Sequence, residues 1–267
     1  MNSLYDMINI PEGPFLRGAD RKIEPDAEWD EVPMTKIWLS SYTISRTPVT
    51  VGQWCEFLQD THYSWGFQDE VARVSLGRDY PITYVSWYDC GEFTRWLSYK
   101  LHKAFSLPTE AQWEKACRGC DGQLFPWGNN RWDDTDEIVR ATEQRRMAIA
   151  TSKDLSSIVT QNDSEPGELD PPLLNFPVGW RPEAASPYGC LDMWMNVSEW
   201  CADWFDYYED QEPVTSNPTG PDTGVGRVIR GGNVYSGGWP RCSHRRNSYA
   251  KPKNRAESVG FRVVALP

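Results

Sequence analysis

The opening of the chain reads as strands. IPEGPFLRGA begins with an apolar stretch broken by Pro and Gly, an acidic loop EPDAEWDEVP follows, and MTKIWLSSYTIS alternates apolar with polar residues as an opening sheet would. The period then lengthens. In RTPVTVGQWCEFLQD, Thr50 stands where a helix cap is needed, and Val51, Trp54, Phe57 and Leu58 fall on one helical face. YPITYVSWYDCGEFTRWLSYKL predicts a second helix capped near Ser86, with Cys90, Phe93, Trp96, Leu97 and Leu101 together on one side. LPTEAQWEKACRG predicts a third, short helix. There Thr109 precedes Gln112 at the spacing of a capping box, and Gly119 supplies the stop.

From Asp133 to Asp170 the pattern weakens: the segment is polar, poorly amphipathic and ends in the turn-rich QNDSEPGELDPP, which predicts an inserted helix and a surface loop at about 133–170. From Phe176 the chain is again aromatic and punctuated by Gly and Pro. It closes on two β-like pieces, RVIRGGNVYSGG and VGFRVVALP. With neither an internal repeat nor an evident linker, residues 1–267 are expected to form one domain.

Composition sharpens this picture. The 267 residues include 14 Trp, 12 Tyr and 9 Phe beside 20 Gly and 20 Pro, which predicts aromatic clusters joined by irregular loops and little regular secondary structure. The net charge of −11 is uneven. From Arg227 onward nine Arg or Lys face one acid, Glu257, so this segment carries +8 and residues 1–226 carry −19. Two readings follow with equal weight: the arginines pair internally with the acidic remainder, or they form a surface for an anion or an acidic partner. Nonspecific nucleic-acid binding is disfavoured by the overall charge. The sequence contains no run of about 18 apolar residues, and MNSLYDMINIPEGPF has neither a basic leader nor an apolar stretch, so a soluble cytoplasmic protein without a membrane partner is expected. The seven cysteines, an odd number and scattered, fit reduced thiols better than a disulfide framework.

Seven collinear segments carry a resemblance: IPEGPFLRG, PVTVGQWCEFL, YPITYVSWYDCGEFTRWLS, FSLPTEAQWEKACRG, FPWGN, YGCLDMWMNVSEWCADWF and RVIRGGN with RCSHRRN and VGFRVV. Together they resemble the formylglycine-generating enzyme/sulfatase-modifying factor family along nearly the whole chain. The resemblance implies a compact, irregular α+β fold, related to C-type lectin-like folds and poor in regular secondary structure. Within it, Gly231 and Gly232 permit a backbone approach closed to other residues, and Trp113, Trp127, Trp194, Trp200 and Trp204 are expected in the core.

The resemblance also implies sites. LDMWMNVSEW is similar to a family stretch that commonly holds calcium. Asp192 and Glu199 would give carboxylate oxygens and Met195 and Val197 backbone carbonyls, although Met195 stands where the family usually has Gly. Against structural Ca²⁺ stands the simpler reading that Asp192 and Glu199 cap turns or pair with Arg. Oxidase members of the family bind copper through two cysteines lying between the RGG and RC motifs. Here that interval is NVYSGGWP, with Ser236 near the first expected position and no cysteine, so neither copper nor formylglycine generation is expected. Cys242 is similar to a family cysteine that lies close to the one in ACRG, here Cys117, and a pair of neighbouring thiols is the expectation. Cys120 completes a lone CxxC, a weak sign of a metal or redox site. His62, His102 and His244 lack the cluster used by iron-dependent relatives, so iron is not expected either.

These absences predict a repurposed, non-catalytic member that binds a protein or an anionic ligand through its C-terminal loop face. Val234, Tyr235, Ser236, Trp239, Arg241, His244, Arg246 and Tyr249 are the contact residues, since Tyr and Trp give area at little entropic cost and Arg gives charge. The RGG and GFR frame is also similar to that of variable proteins diversified by retroelements. The rival expectation is an enzyme acting on a small molecule or peptide without copper, which would depend on His244, Ser236 or Tyr235.

Overall fold

The computed structural model describes residues 6–130, 175–208, 215–233, 241–245 and 249–265. The insertion expected at 133–170 lies outside the described residues, as do Val234, Tyr235, Ser236, Trp239 and Arg246.

The opening strands form as their alternation requires. β1 (Met7–Ile10) pairs antiparallel with β4 (Tyr42–Ser45), while β2 (Gly13–Arg17) and β3 (Thr35–Leu39) make a separate ribbon in the register Gly13↔Leu39 to Arg17↔Thr35. β4 also pairs with β10 (Val264–Ala265), which in turn pairs with β5 (Phe105–Ser106), so one sheet, ordered β1-β4-β10-β5, joins the two ends of the chain. A second sheet is ordered β8-β7-β6-β9, from β6 (Ser198–Trp204), β7 (Arg227–Arg230), β8 (Tyr249–Ala250) and β9 (Val259–Gly260). Its β6 and β9 run parallel, and its other pairs are antiparallel. The mixture of helices and short, irregular sheets is the α+β architecture that the sequence predicts.

Three helices start at the residues read as caps. α1 (Val51–Thr61), α3 (Trp87–Leu101) and α4 (Glu110–Arg118) begin with complete capping boxes from Thr50 and Gln53, Ser86 and Asp89, and Thr109 and Gln112. Between them lies α2 (Gln68–Val74), which has no side-chain cap and buries Val71 and Val74. Gly119 ends α4 at φ 72°, a conformation open to glycine.

α1 and α3 close over an aromatic core. Trp54 stacks on Phe93 with centroids 5.8 Å apart and Phe93 meets Phe261 edge-on at 5.3 Å, while the Trp200 indole donates to the Val85 carbonyl at 2.9 Å. Of the tryptophans expected inside, Trp113, Trp194 and Trp200 are buried, but Trp127 and Trp204 are half-buried. Each of the latter has a polar task that keeps it near the surface: Trp127 donates to the Asn130 carbonyl, and Trp204 carries the Arg227 guanidinium 3.7 Å from its ring centroid.

Candidate interaction site

The C-terminal face is built on α4. Glu110, Glu114 and Arg118 recur every fourth residue, so they project from one side of the helix, and that side is turned inward, with exposures of 4%, 0% and 0%. Arg230 of β7 reaches both carboxylates, Glu114 Oε2 at 2.8 Å and Glu110 Oε1 at 3.1 Å, and donates to the carbonyls of Cys242 and Ser243 at 2.6 and 3.3 Å. Arg245 grips Glu110 at 2.7 and 3.1 Å and the Asp30 carbonyl at 2.6 Å. Arg241 lies among Glu24, Asp26 and Glu31 at 2.8, 2.6 and 2.9 Å. Two-pronged guanidinium contacts of this kind hold loops in one register.

The basic C-terminal segment is therefore largely spent inside. Arg262 pairs with Glu199 and Arg255 with Asp89, and Arg227 lies between the rings of Trp87 and Trp204 at 4.0 and 3.7 Å. Of the two readings of the +8 segment, internal pairing accounts for Arg230, Arg241, Arg245, Arg255 and Arg262, while Lys251 and Lys253 are exposed. Arg241 thus acts as a post of the frame. His244 is half-buried and its amide donates to the Arg241 carbonyl at 3.0 Å. Tyr249 is 49% exposed and stacks on Phe205 at 4.7 Å.

Burial and charge compete for the carboxylates here. Burial alone would raise the Glu110 carboxyl, but Arg245, Arg230 and Arg17 outweigh it and hold it below its ordinary value. Asp203 of β6 lacks that help: burial and then the neighbouring Glu110 push it up to about 7, against the lowering effect of the Glu110 amide, which donates to its Oδ2 at 2.8 Å.

Of the expected calcium donors, both carboxylates already have partners within the protein. Both oxygens of Glu199 face Arg262, at 2.6 and 2.8 Å, and Oε2 also accepts from the Trp113 indole at 2.9 Å. Asp192 accepts from the Gly179 amide at 2.6 Å, and burial raises its pKa to about 6. Ca²⁺ requires six to eight oxygens; a carboxylate already locked to a guanidinium fits it poorly. Among the described residues no three His, Cys, Asp or Glu side chains gather, and the expected set, two carboxylates and two carbonyls, is not of that kind. Met195, the departure from glycine, keeps the turn at φ 69°, and Val197 is buried beside it. Gly231, at φ 80°, lies so close to Trp113 that an added Cβ would come within 3.1 Å of the indole. The thiols of Cys117 and Cys242 face each other at 2.8 Å in the core, whereas Cys120 is exposed.

The sequence reading missed Glu110, Glu114 and Asp203. A charged helix face turned inward has no signature in hydropathy; the spacing of Glu110, Glu114 and Arg118 was the available hint. It also missed Phe205 and Tyr207, which flank Asp206 at strand spacing in WFDYY.

Comparison with known proteins decides the assignment, since the sulfatase-modifying factor enzyme 1-like domain matches residues 1–266. The chain belongs to this family. Formylglycine-generating enzymes of Thermomonospora curvata and Bos taurus are 26% and 30% identical to this family member, over 98% and 97% of it and over 93% and 74% of their own lengths. A protein named serine/threonine-protein kinase pkn1 of Chlamydia caviae is 29% identical over 97% of the chain, which spans 38% of that longer relative. In fold, the family member resembles PvdO from Pseudomonas aeruginosa, with a TM-score of 0.69 at 22% identity, the match covering 100% of this chain and 97% of the other. It likewise resembles Treponema denticola variable protein 1, with a TM-score of 0.65 at 21% identity, covering 98% and 95%.

Proposed function

We propose that this family member is a non-catalytic binding module that engages a protein through the loop face between Asn233 and Tyr249. The observation that carries this reading is the interval NVYSGGWP. It holds aromatic residues and glycines and no cysteine, and it is bounded by the buried Asn233 and by Arg241, tied to three carboxylates. Soft copper requires thiolate, which a serine hydroxyl cannot replace. A stretch rich in aromatic residues and glycine, joined to an ion-paired frame, suits recognition. A protein is favoured over an anion because, among the described residues of this face, Arg241 and Arg245 are already paired with carboxylates. Relatives named as a kinase and as a variable protein support roles other than formylglycine generation for the domain. A cytoplasmic setting belongs to this reading, since it keeps seven cysteines reduced; among the described residues no helix is long and apolar enough to cross a membrane.

The test is a native pull-down comparing the wild type with Tyr235→Ala/Trp239→Ala/Arg246→Ala, with metal content measured by mass spectrometry in the same samples. A stoichiometric protein partner captured by the wild type and lost in the folded variant is the expected result. No partner, together with bound copper or iron, overturns the reading in favour of an enzyme.

A further inference from the structure

A cleft of about 350 Å³ opens where β6 ends, walled by Phe205, Tyr207 and Tyr249 and by the chain at Val225 and Gly226, with Asp206 in its lining. Phe205 is already engaged. The Arg245 guanidinium lies 4.6 Å from its centroid and the Tyr249 ring 4.7 Å from it. Tyr207 and Tyr249 also pack on Phe205, at 5.5 and 4.7 Å, but they remain 44% and 49% exposed. Tyr249 is held in place by what Gly226 lacks: a Cβ there would fall 2.4 Å from Tyr249 Cδ2, so glycine alone lets the ring lie against the chain entering β7.

The same end of the molecule stacks cations on aromatic rings repeatedly. Arg227 lies over Trp87 and Trp204 at 4.0 and 3.7 Å, and Arg17 and Arg245 each lie over Tyr208 at 4.2 Å. No lysine or arginine lines the cleft among the described residues, whereas Asp206 does, its Oδ1 accepting from the Tyr207 amide at 2.9 Å and its carbonyl from Arg245 at 3.1 Å. Ring faces carry negative electrostatic potential and attract ammonium and guanidinium groups. We propose that this cleft receives a cationic side chain, the lysine or arginine of a basic protein partner, against Tyr207 and Tyr249. The inference rests on the binding-module reading and supplies the chemistry of the partner.

The experiment follows the ring resonances of Tyr207 and Tyr249 by NMR in the full chain while choline, Nα-acetyl-lysinamide and the neutral choline isostere 3,3-dimethyl-1-butanol are titrated separately. Saturable shifts with the two cations and none with the neutral isostere are expected. Tyr249→Ala and Gly226→Ala should each weaken cation binding about two- to fivefold, the worth of one exposed cation–π contact, while Tyr249→Phe keeps it. Equal shifts from the neutral isostere, or an affinity unchanged in Tyr249→Ala, overturn the inference. Its failure is separable from that of the module reading. A partner whose capture needs Tyr235 and Trp239 but survives Tyr207→Ala/Tyr249→Ala leaves the module standing and removes the cationic cleft.

Discussion

Glu199 is held from two sides, by the Arg262 guanidinium and the Trp113 indole, and none of the three side chains is more than 1% exposed. Removing one member of a buried pair leaves an uncompensated charge, which costs about 3–5 kcal/mol. Arg262→Met is therefore expected to lower the unfolding free energy by about that much in urea titration, and Glu199→Leu/Arg262→Met to recover part of the loss. A double variant as unstable as the single would show that the charge is not the cause. Asp203 makes a prediction about pH. Its carboxyl binds a proton at about 7 in the folded chain against an ordinary 3.8, so the folded state holds more protons across that window. Stability should fall as pH rises from about 4 to 7, the penalty being complete above the folded value. Asp192, raised to about 6, adds in the same direction. Asp203→Asn keeps an acceptor for the Glu110 amide and should flatten this slope, gaining on the order of 2 kcal/mol near pH 8 and nothing near pH 4 in paired denaturation series.

The helix starts were legible because capping is local chemistry: a hydroxyl, an amide N–H three residues on and a returning side chain need no tertiary partner. Thr50→Ala is accordingly expected to cost about 1 kcal/mol by urea denaturation, with Thr50→Ser retaining most of the stability. Other elements were less legible. β6 is buried along SEWC on successive residues, so it lacks the alternation of a half-exposed strand. α2 is seven residues long without a side-chain cap, and its Val71 and Val74 acquire meaning only when the core closes over them. The start of α4 was readable and its orientation was not, since its most polar face points into the protein.

At the level of the whole molecule, the distribution of charge changes meaning on folding. What is a +8 segment in sequence becomes a set of struts between β7, the 241–245 segment and α4. Two bulk measurements follow. A cysteine-containing sulfatase peptide incubated with the chain, copper and reductant should show no formylglycine by mass spectrometry, because the interval NVYSGGWP offers copper no thiolate. Added Ca²⁺ or a chelator should leave the thermal midpoint unchanged, because Glu199 already has Arg262 as its counter-ion; a rise with Ca²⁺ would show that the ion displaces the pair.

Family, fold class and helix starts were determined by the sequence itself, because motif order and caps are properties of short stretches. The destination of the arginines was decided by tertiary structure. Arg230 and Arg245 meet Glu110 across 120 and 135 residues, and Arg241 meets Glu31 across 210. The cleft beside Tyr249 likewise exists because β6 and β7 bring Phe205 and Gly226 together. Coulombic pairing and ring stacking act through space, so no local pattern specifies which acid a given arginine will find.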